Sequence, residues 1–277
     1  MKRSHFIRNI LLGGLGISNL LYALQIEPFW VEFVKHDMPI TNLPKKLKGK
    51  TVMHISDLHV GDRFDRQYLI DAFREAKKYK PDYVVYTGDF INYEDISTHG
   101  NKLHEVMSQA VKGDLGTFAV LGNHDYGKKW KNEDIASHVI DTLKKFDINV
   151  LRNEIQEAEG LYFMGIDDCW SDNFKPKNAL KDYRTEQPTL TLCHNPDVCD
   201  MDVWEDYQGW ILSGHTHGGQ VKPPFLPPFV IPVKNKLYTS GLFELSNNRK
   251  LYINRALGHL YQVRFLVRPE ITLFTLS

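Results

Sequence analysis

The chain has 277 residues, 42% apolar and 25% charged, an ordinary globular composition with enough length for one substantial core. Lys plus Arg number 34 and so do Asp plus Glu; this zero formal charge argues against a broad basic surface for nucleic acid, though a local basic groove stays open. Three cysteines, Cys169, Cys193 and Cys199, are few, odd in number and not in a CxxC pair, which argues against a disulfide scaffold or a zinc ribbon; they read as buried free thiols.

Lys2, Arg3 and Arg8 precede an apolar run from Ile10 to Leu24, broken only by glycines, Ser18 and Asn19. A positive start followed by roughly 15 apolar residues is the layout of a signal peptide or short anchor. The run is marginal for a spanning helix, which needs ~20 residues. Leu21-Tyr22-Ala23 is a poor cleavage site, so residues 1–25 are read as an uncleaved membrane anchor. Cleaved export and a buried core helix stay open. If the run spans, its positive flank stays cytoplasmic and the body lies on the extracytoplasmic face.

Residues 26–277 read as one domain. Ile26 to Lys50 forms a first strand and a linker, and from Thr51 short apolar runs alternate with amphipathic segments, which predicts an α/β layered architecture. The expected strands are Thr51–Ser56, Tyr83–Thr87, Phe118–Leu121, Leu161–Ile166, Leu190–Cys193 and Gly209–Ser213. Apolar spacing of three and four predicts helices over Tyr68–Tyr79 and Ile135–Phe146. From Leu237 onward the pattern is all-β, with strands at Lys250–Asn254, Tyr261–Leu266 and Ile271–Leu276.

Five of these strands end in metal-capable polar residues. Thr51–Ser56 leads to Asp57 and His59, and Tyr83–Thr87 leads through Gly88 to Asp89. Phe118–Leu121 leads through Gly122 to Asn123, His124 and Asp125. Leu190–Cys193 leads to His194, and Gly209–Ser213 leads through Gly214 to His215 and His217. In open α/β sheets the loops beyond the carboxyl ends of strands converge on one crevice, so the five groups are expected to meet. In extended backbone, the spacing of two within Asp57/His59 and His215/His217 sends each pair to one side. Carboxylate, imidazole and amide oxygen without thiolate favour Mn²⁺, Fe²⁺ or Zn²⁺, and a central carboxylate can bridge two such ions ~3.5–4 Å apart. Any one block is weak, since Asp-x-His arises by chance and Gly-Asn is common in turns. Five in order at strand ends are not.

Asp57-Leu58-His59, Gly88-Asp89, Gly122-Asn123-His124-Asp125, His194 and Gly214-His215-Thr216-His217 together resemble the ordered signature of the calcineurin-like metallophosphoesterase superfamily. His194-Asn195-Pro196-Asp197, Gly218-Gly219-Gln220 and Arg268-Pro269-Glu270-Ile271 are similar to its bacterial phosphodiesterase branch, which carries an N-terminal membrane or export segment and resembles UDP-diacylglucosamine pyrophosphatases. The resemblance implies a four-layer α/β/β/α sandwich with a dimetal centre at its edge. It implies that Asp57, His59 and His217 bind one ion, that Asn123, His194 and His215 bind the other, and that Asp89 bridges them. His124 then protonates the leaving oxygen or stabilises the phosphoryl oxygens, Asp125 orients that imidazole, and a metal-bridging hydroxide is the nucleophile. The implied function is hydrolysis of a phosphodiester or pyrophosphate, with a nucleotide-linked lipid as candidate substrate and two divalent ions, Mn²⁺ foremost. A non-catalytic metal-binding module, a phosphomonoesterase and a nuclease are the alternatives. Lys2-Arg3 with Phe6-Ile7 only approximates a twin-arginine export signal.

Three further stretches carry two readings each. Pro223 to Pro232, with Phe225 and Phe229, is either an apolar lip for lipid or a rigid proline-rich cover for the core, the latter preferred. Asp167-Asp168-Cys169-Trp170 reads as a surface loop rather than a substrate entrance, and Lys128-Lys129-Trp130-Lys131 as a solvated face. His99, His104, His138 and His259 have no ligand spacing, although His259 sits in a glycine-flanked turn that approaches the site in one reading.

Overall fold

Near-continuous buried runs of Val, Tyr, Leu and Phe require sheets covered on both faces, and two six-stranded sheets meet that demand. The computed structural model describes residues 16–62, 65–92 and 96–277. The first sheet holds β1 (Glu32–Met38), β2 (Thr51–Ile55), β3 (Tyr83–Thr87), β4 (Gly116–Val120), β5 (Asn149–Val150) and β12 (Glu270–Leu276), in the order β1-β12-β2-β3-β4-β5. The second holds β6 (Glu154–Ala158), β7 (Leu161–Ile166), β8 (Thr189–Cys193), β9 (Gly209–Ser213), β10 (Gly241–Glu244) and β11 (Arg249–Ile253), in the order β10-β11-β9-β8-β7-β6. β2, β3 and β4 run parallel, as do β7, β8, β9 and β11, so their carboxyl ends share one edge of each sheet.

The period of two sorts side chains into layers. On β2, β3 and β12, Val52, Tyr83, Val85 and Phe274 face the second sheet, where they join Phe163, Leu190 and Leu212. Phe118 and Phe163 stack across this layer with ring centroids 4.1 Å apart. Met53, Ile55, Val84 and Tyr86 face the opposite way, onto helices α1 (Arg66–Lys77), α2 (Ile96–Met107) and α3 (Glu133–Lys144). α1 buries Leu69, Ala72, Phe73 and Ala76, one stripe at helical spacing, and Asp65 caps it by accepting from Gln67 N at 2.8 Å. α3 buries Ala136, Val139, Ile140 and Leu143, and Asn132 caps it through Asp134 N and Ile135 N. Each of the larger ones, Leu, Val, Ile or Phe, contributes roughly 1.5–3 kcal/mol. The fourth layer, over Met164, Ile211 and Leu251, is built from the short helix α4 (Pro176–Leu180), single turns and loops. The architecture is thus the four-layer α/β/β/α sandwich, with one outer layer thinner than the other.

Most expected strands fall where the pattern puts them, but Tyr261–Leu266 is not a strand. Only Phe265 makes a ladder contact there, a single bridge to Val221. The physical reason is Arg264, whose side chain is fully buried and donates to the carbonyls of Arg255 (3.0 Å), Val267 (3.1 Å), Ala256 (3.3 Å) and Gly258 (2.7 Å). The chain coils around that guanidinium instead of extending. Arg264→Ala strands four carbonyls and is expected to cost about 3 kcal/mol or more, read as a lower midpoint in denaturant unfolding.

Residues 16–21 are helical, Tyr22–Ile26 form a π-turn and Glu27–Phe29 a 3₁₀ turn. This stretch leans on the Arg264 coil: Arg264 N donates to Ala23 O at 2.9 Å, and the buried Glu27 carboxylate accepts from Leu266 N at 2.9 Å and from Val267 N. Among the described residues no helix is long and apolar enough to cross a membrane. Residues 1–15 of the expected anchor lie outside the described residues.

Candidate metal centre

The five loops do meet at the carboxyl edge of the two sheets. The segments leaving β2 and β3 run side by side, with Asp57 N donating to Gly88 O (3.0 Å), His59 N to Asp89 O (2.9 Å) and Val60 N to Phe90 O (2.9 Å). His124 N donates to Asp89 Oδ1 at 2.9 Å, and His215 N to Asp57 Oδ1 at 3.1 Å, which locks the β4 and β9 loops onto the first pair. Gly214 N donates to His194 O at 3.0 Å and ties β9 to β8.

Asp57/His59 and His215/His217 reach a common side by a different route from extended backbone. Asp57, His59, Asp89, His215 and His217 all have left-handed φ, between 50° and 70°. Each such non-glycine residue costs about 1–2 kcal/mol, and their concentration at one edge marks backbone held under constraint for a purpose.

Two clusters of ligand atoms result, within 4.8 Å in each case: Asp57, His59 and His217, and Asp89, His194 and His215. In the first, His217 Nε2 lies 3.2 Å from Asp57 Oδ1 and 2.9 Å from His59 Nε2. In the second, His194 Nε2 lies 3.2 Å from Asp89 Oδ2 and 3.1 Å from His215 Nδ1. Asp89 Oδ2 is also 3.6 Å from His59 Nε2, so this carboxylate stands between the clusters. His59, Asp89 and His124 form a third such group. Asn123 Oδ1 is buried with no hydrogen-bond partner among the described residues. Converging nitrogens, carboxylates and a lone buried amide oxygen are a donor set that fits two divalent cations.

The electrostatics agree. Burial alone would raise the pKa of Asp57 and Asp89, but His217 beside the first and His194 beside the second outweigh it and hold both carboxyls below their usual range. Burial pushes His59 well down, and burial with the neighbouring His194 pushes His215 down to about 3. His194 goes the other way: burial lowers it, yet the Asp89 charge prevails and raises it well above the ordinary value. Ionised carboxylates beside mostly neutral imidazoles are what cation binding requires.

Asp125 braces the loop that carries His124. Its carboxylate accepts from the backbone N–H of Gly122 (2.8 Å), Phe90 (2.8 Å) and Ile91 (3.2 Å), so its hold on His124 runs through the loop carrying it. The His124 ring stands edge-on to His59, centroids 4.9 Å apart. Behind Asp57 lies a polar chain without a counterpart in the motif pattern: His54 Nε2 and Thr87 Oγ1 are 2.8 Å apart, Thr87 donates to Ser56 Oγ at 2.7 Å, and Ser56 donates to Asp57 Oδ2. His54 and Ser56 sit on β2 and at its end, and polar residues at buried positions of an apolar strand were the available signal.

The clusters lie at the bottom of a cleft of about 660 Å³. Its walls are apolar: Trp130 and Trp170 on one part, Phe229, Val230, Leu260 and Val263 on another. Trp170 meets the His215 ring edge-on at 4.7 Å and Trp130 at 4.6 Å. The segment starting at Asp167 is therefore no plain surface loop, because Asp167 and Asp168 are buried and Trp170 lines the site. Lys128, Lys129 and Lys131 are exposed as expected, while Trp130 within that run turns to the cleft. His259 is buried against Phe29, and His104 packs on Phe146; neither joins a cluster.

A sandwich with such clusters at its edge defines a metallophosphoesterase. The chain belongs to the calcineurin-like phosphoesterase family, whose model matches residues 50–219. It is 30% identical to the uncharacterized metallophosphoesterase YkuE of Bacillus subtilis, covering 100% of this chain and 98% of that one. It is also 30% identical to the UDP-2,3-diacylglucosamine pyrophosphatase LpxG of Chlamydia trachomatis, over 84% of this chain and 86% of the relative. The phosphodiesterase YaeI of Escherichia coli is 30% identical, with 94% and 93% covered.

Proposed function

We propose that the protein hydrolyses a phosphodiester or pyrophosphate bond in a lipid-linked substrate, from a membrane to which residues 1–25 tether the domain of residues 26–277. The observation that carries this reading is the placement of two carboxylate–imidazole clusters, with Asp89 between them, under apolar cleft walls. In it, Asp57, His59 and His217 hold one ion, Asn123, His194 and His215 the other, and Asp89 touches both. We take Mn²⁺ as the metal, for the mixture of oxygen and nitrogen donors without thiolate. Two such cations supply Lewis-acid polarisation of phosphoryl oxygens and an acidified water. The chain does the rest: it fixes the donors on constrained loops, and His124 supplies an N–H to the leaving or phosphoryl oxygen. Asp125 positions the loop that carries His124. Trp130, Trp170 and Phe229 exclude water and accept an apolar group beside the phosphate. The likeness to the pyrophosphatase LpxG and the phosphodiesterase YaeI supports a pyrophosphate or diester.

The test is to rank kcat/KM of manganese-loaded enzyme on nucleotide-linked lipids, cyclic nucleotides and simple monoesters. Nucleotide-linked lipids are expected first. Equal turnover of a simple monoester would remove the diester and lipid assignment.

Ser56 extends the site by one layer. It occupies Asp57 Oδ2 and leaves Oδ1 toward His217. Ser56→Ala is expected to weaken metal affinity about tenfold, as loss of an outer hydrogen bond to a ligand does. Competition titration with a chelating dye reads it. Unchanged affinity would show that Asp57 needs no brace.

A further inference from the structure

Two segments form the rim of the cleft and a third packs on them. Val221 bridges Phe265, and Lys222 N donates to Phe265 O at 2.9 Å. Residues 262–265 in turn carry the N-terminal helical stretch: Gln262 Nε2 donates to Leu24 O at 2.8 Å, and the Tyr22 and Phe265 rings meet edge-on. Leu260, Tyr261, Val263, Phe229 and Val230 from two of these segments line the cleft itself.

This rim exposes large apolar side chains where a globular surface normally has few together. Phe225 is fully exposed, Phe229 and Val230 are each 75% exposed, and Leu226 and Leu266 are half exposed. Ile17, Leu20 and Leu21, at spacings of three and four, point outward while Ala23 points inward. All of residues 16–21 are exposed, so this turn leaves the three apolar side chains uncovered by the rest of the protein. Trp30, half exposed, lies under the Arg268 guanidinium at 4.0 Å, and Tyr261 is exposed nearby in the chain.

Charge separates this face from the rest of a neutral chain. Residues 16–30, 220–240 and 259–268 present Lys222, Lys234, Lys236 and Arg268 at the surface, Arg268 lying 3.9 Å from Glu32, while Arg264 is buried and the one carboxylate in these segments, Glu27, is buried and occupied by backbone N–H groups. An apolar tip flanked by lysines, with Trp and Tyr at its border, matches the boundary of an anionic lipid bilayer.

We infer that this rim, from Ile17 to Trp30 with Phe225 to Val230 and Tyr261 to Leu266, is a membrane-docking face that lies in the plane of an anionic bilayer, with the cleft mouth opening at the lipid surface. It deepens the membrane-tethered reading given above and does not need the catalytic one. A substrate whose apolar part stays in the membrane then reaches the metal centre along the exposed Phe229 and Val230 wall without leaving the lipid.

The test uses the full chain, with Cys169→Ser and either Phe225→Cys or Asp147→Cys, labelled with an environment-sensitive dye. Asp147 is exposed and precedes β5, at the opposite edge of the first sheet. Vesicles of equal parts phosphatidylglycerol and phosphatidylcholine are expected to shift the dye to the blue at position 225 and not at 147. Phe225→Ser combined with Leu226→Ser is expected to weaken vesicle partitioning about tenfold or more while turnover of a soluble aryl phosphodiester is unchanged. Vesicle binding without a response at 225 would overturn the face and leave the tether, and no vesicle binding at all would overturn both. A response at 225 from an inactive enzyme would support the face and count against the catalytic reading alone. A vesicle-independent, concentration-dependent response would mark a second copy as the occupant and overturn the lipid assignment.

Discussion

Asp89→Asn is expected to lose metal and turnover together, whereas His124→Ala loses turnover alone. Asp89 Oδ2 lies 3.2 Å from His194 Nε2 and 3.6 Å from His59 Nε2, while Oδ1 accepts from His124 N. An asparagine that keeps its oxygen on His124 N turns an NH₂ group toward both clusters and removes the negative charge they share. On the proposed assignment kcat/KM falls roughly 10³-fold, the scale of losing a principal electrostatic element of a site. Bound metal, read by elemental analysis, falls below two ions per chain. His124 reaches the cleft wall from the loop after β4; its imidazole shares a third group with His59 and Asp89, but the proposed assignment fills both ion sites without it. Removing the ring is expected to lower kcat about 10²–10⁴-fold, the range for a lost acid–base group, with metal content intact. Equal metal loss in the two variants would end the division of roles between them.

The site was legible because its carriers were. β2, β3, β4, β8 and β9 are near-continuous apolar runs, as strands buried on both faces must be, and each ends where a polar residue or glycine breaks the run. The motif blocks could therefore be placed at strand ends without knowing the topology. Conformation was less readable. Five Asp and His residues with left-handed φ are invisible to a propensity argument, because tertiary hydrogen bonds such as Asp57 N to Gly88 O impose them. α2 escaped because its apolar residues are sparse: among its described side chains Leu103, Val106 and Met107 are buried, set between polar neighbours. β6 escaped because Glu154–Ala158 is a polar edge strand with little alternation. Tyr261–Leu266 looked like a strand because nothing local announces that Arg264 will be buried among four carbonyls. Trp170 was undervalued for a related reason. Its environment is set by Asp168, whose Oδ1 accepts from Trp170 N at 2.8 Å, and by a partner ring forty residues away.

Gly214→Ala tests whether close approach of loops, beyond the identity of the ligands, makes the centre. Gly214 lies between β9 and His215, and a Cβ there would overlap Ser56 Oγ and Asp57 Oδ2 and approach Ser56 Cβ to 2.9 Å. Neither neighbour can swing aside freely, since Ser56 receives from Thr87 and Asp57 receives from His215 N. The added methyl must push the β9 loop away from the β2 loop, which separates His215 and His217 from Asp57 and His59. A shift of about 1 Å in such a site costs about 10²-fold in rate, and overpacking costs about 1–3 kcal/mol in stability. Gly49→Ala is the control, because Gly49 has φ of +82° with nothing within 4 Å of a built Cβ. That variant carries backbone strain of about 1 kcal/mol and no steric load on the site. Gly214→Ala is therefore expected to lose most activity and one bound metal for a modest fall in Tm, while Gly49→Ala loses stability alone. If Gly214→Ala kept both metals and full turnover, contact between the two loops would not be what sets the ligand geometry.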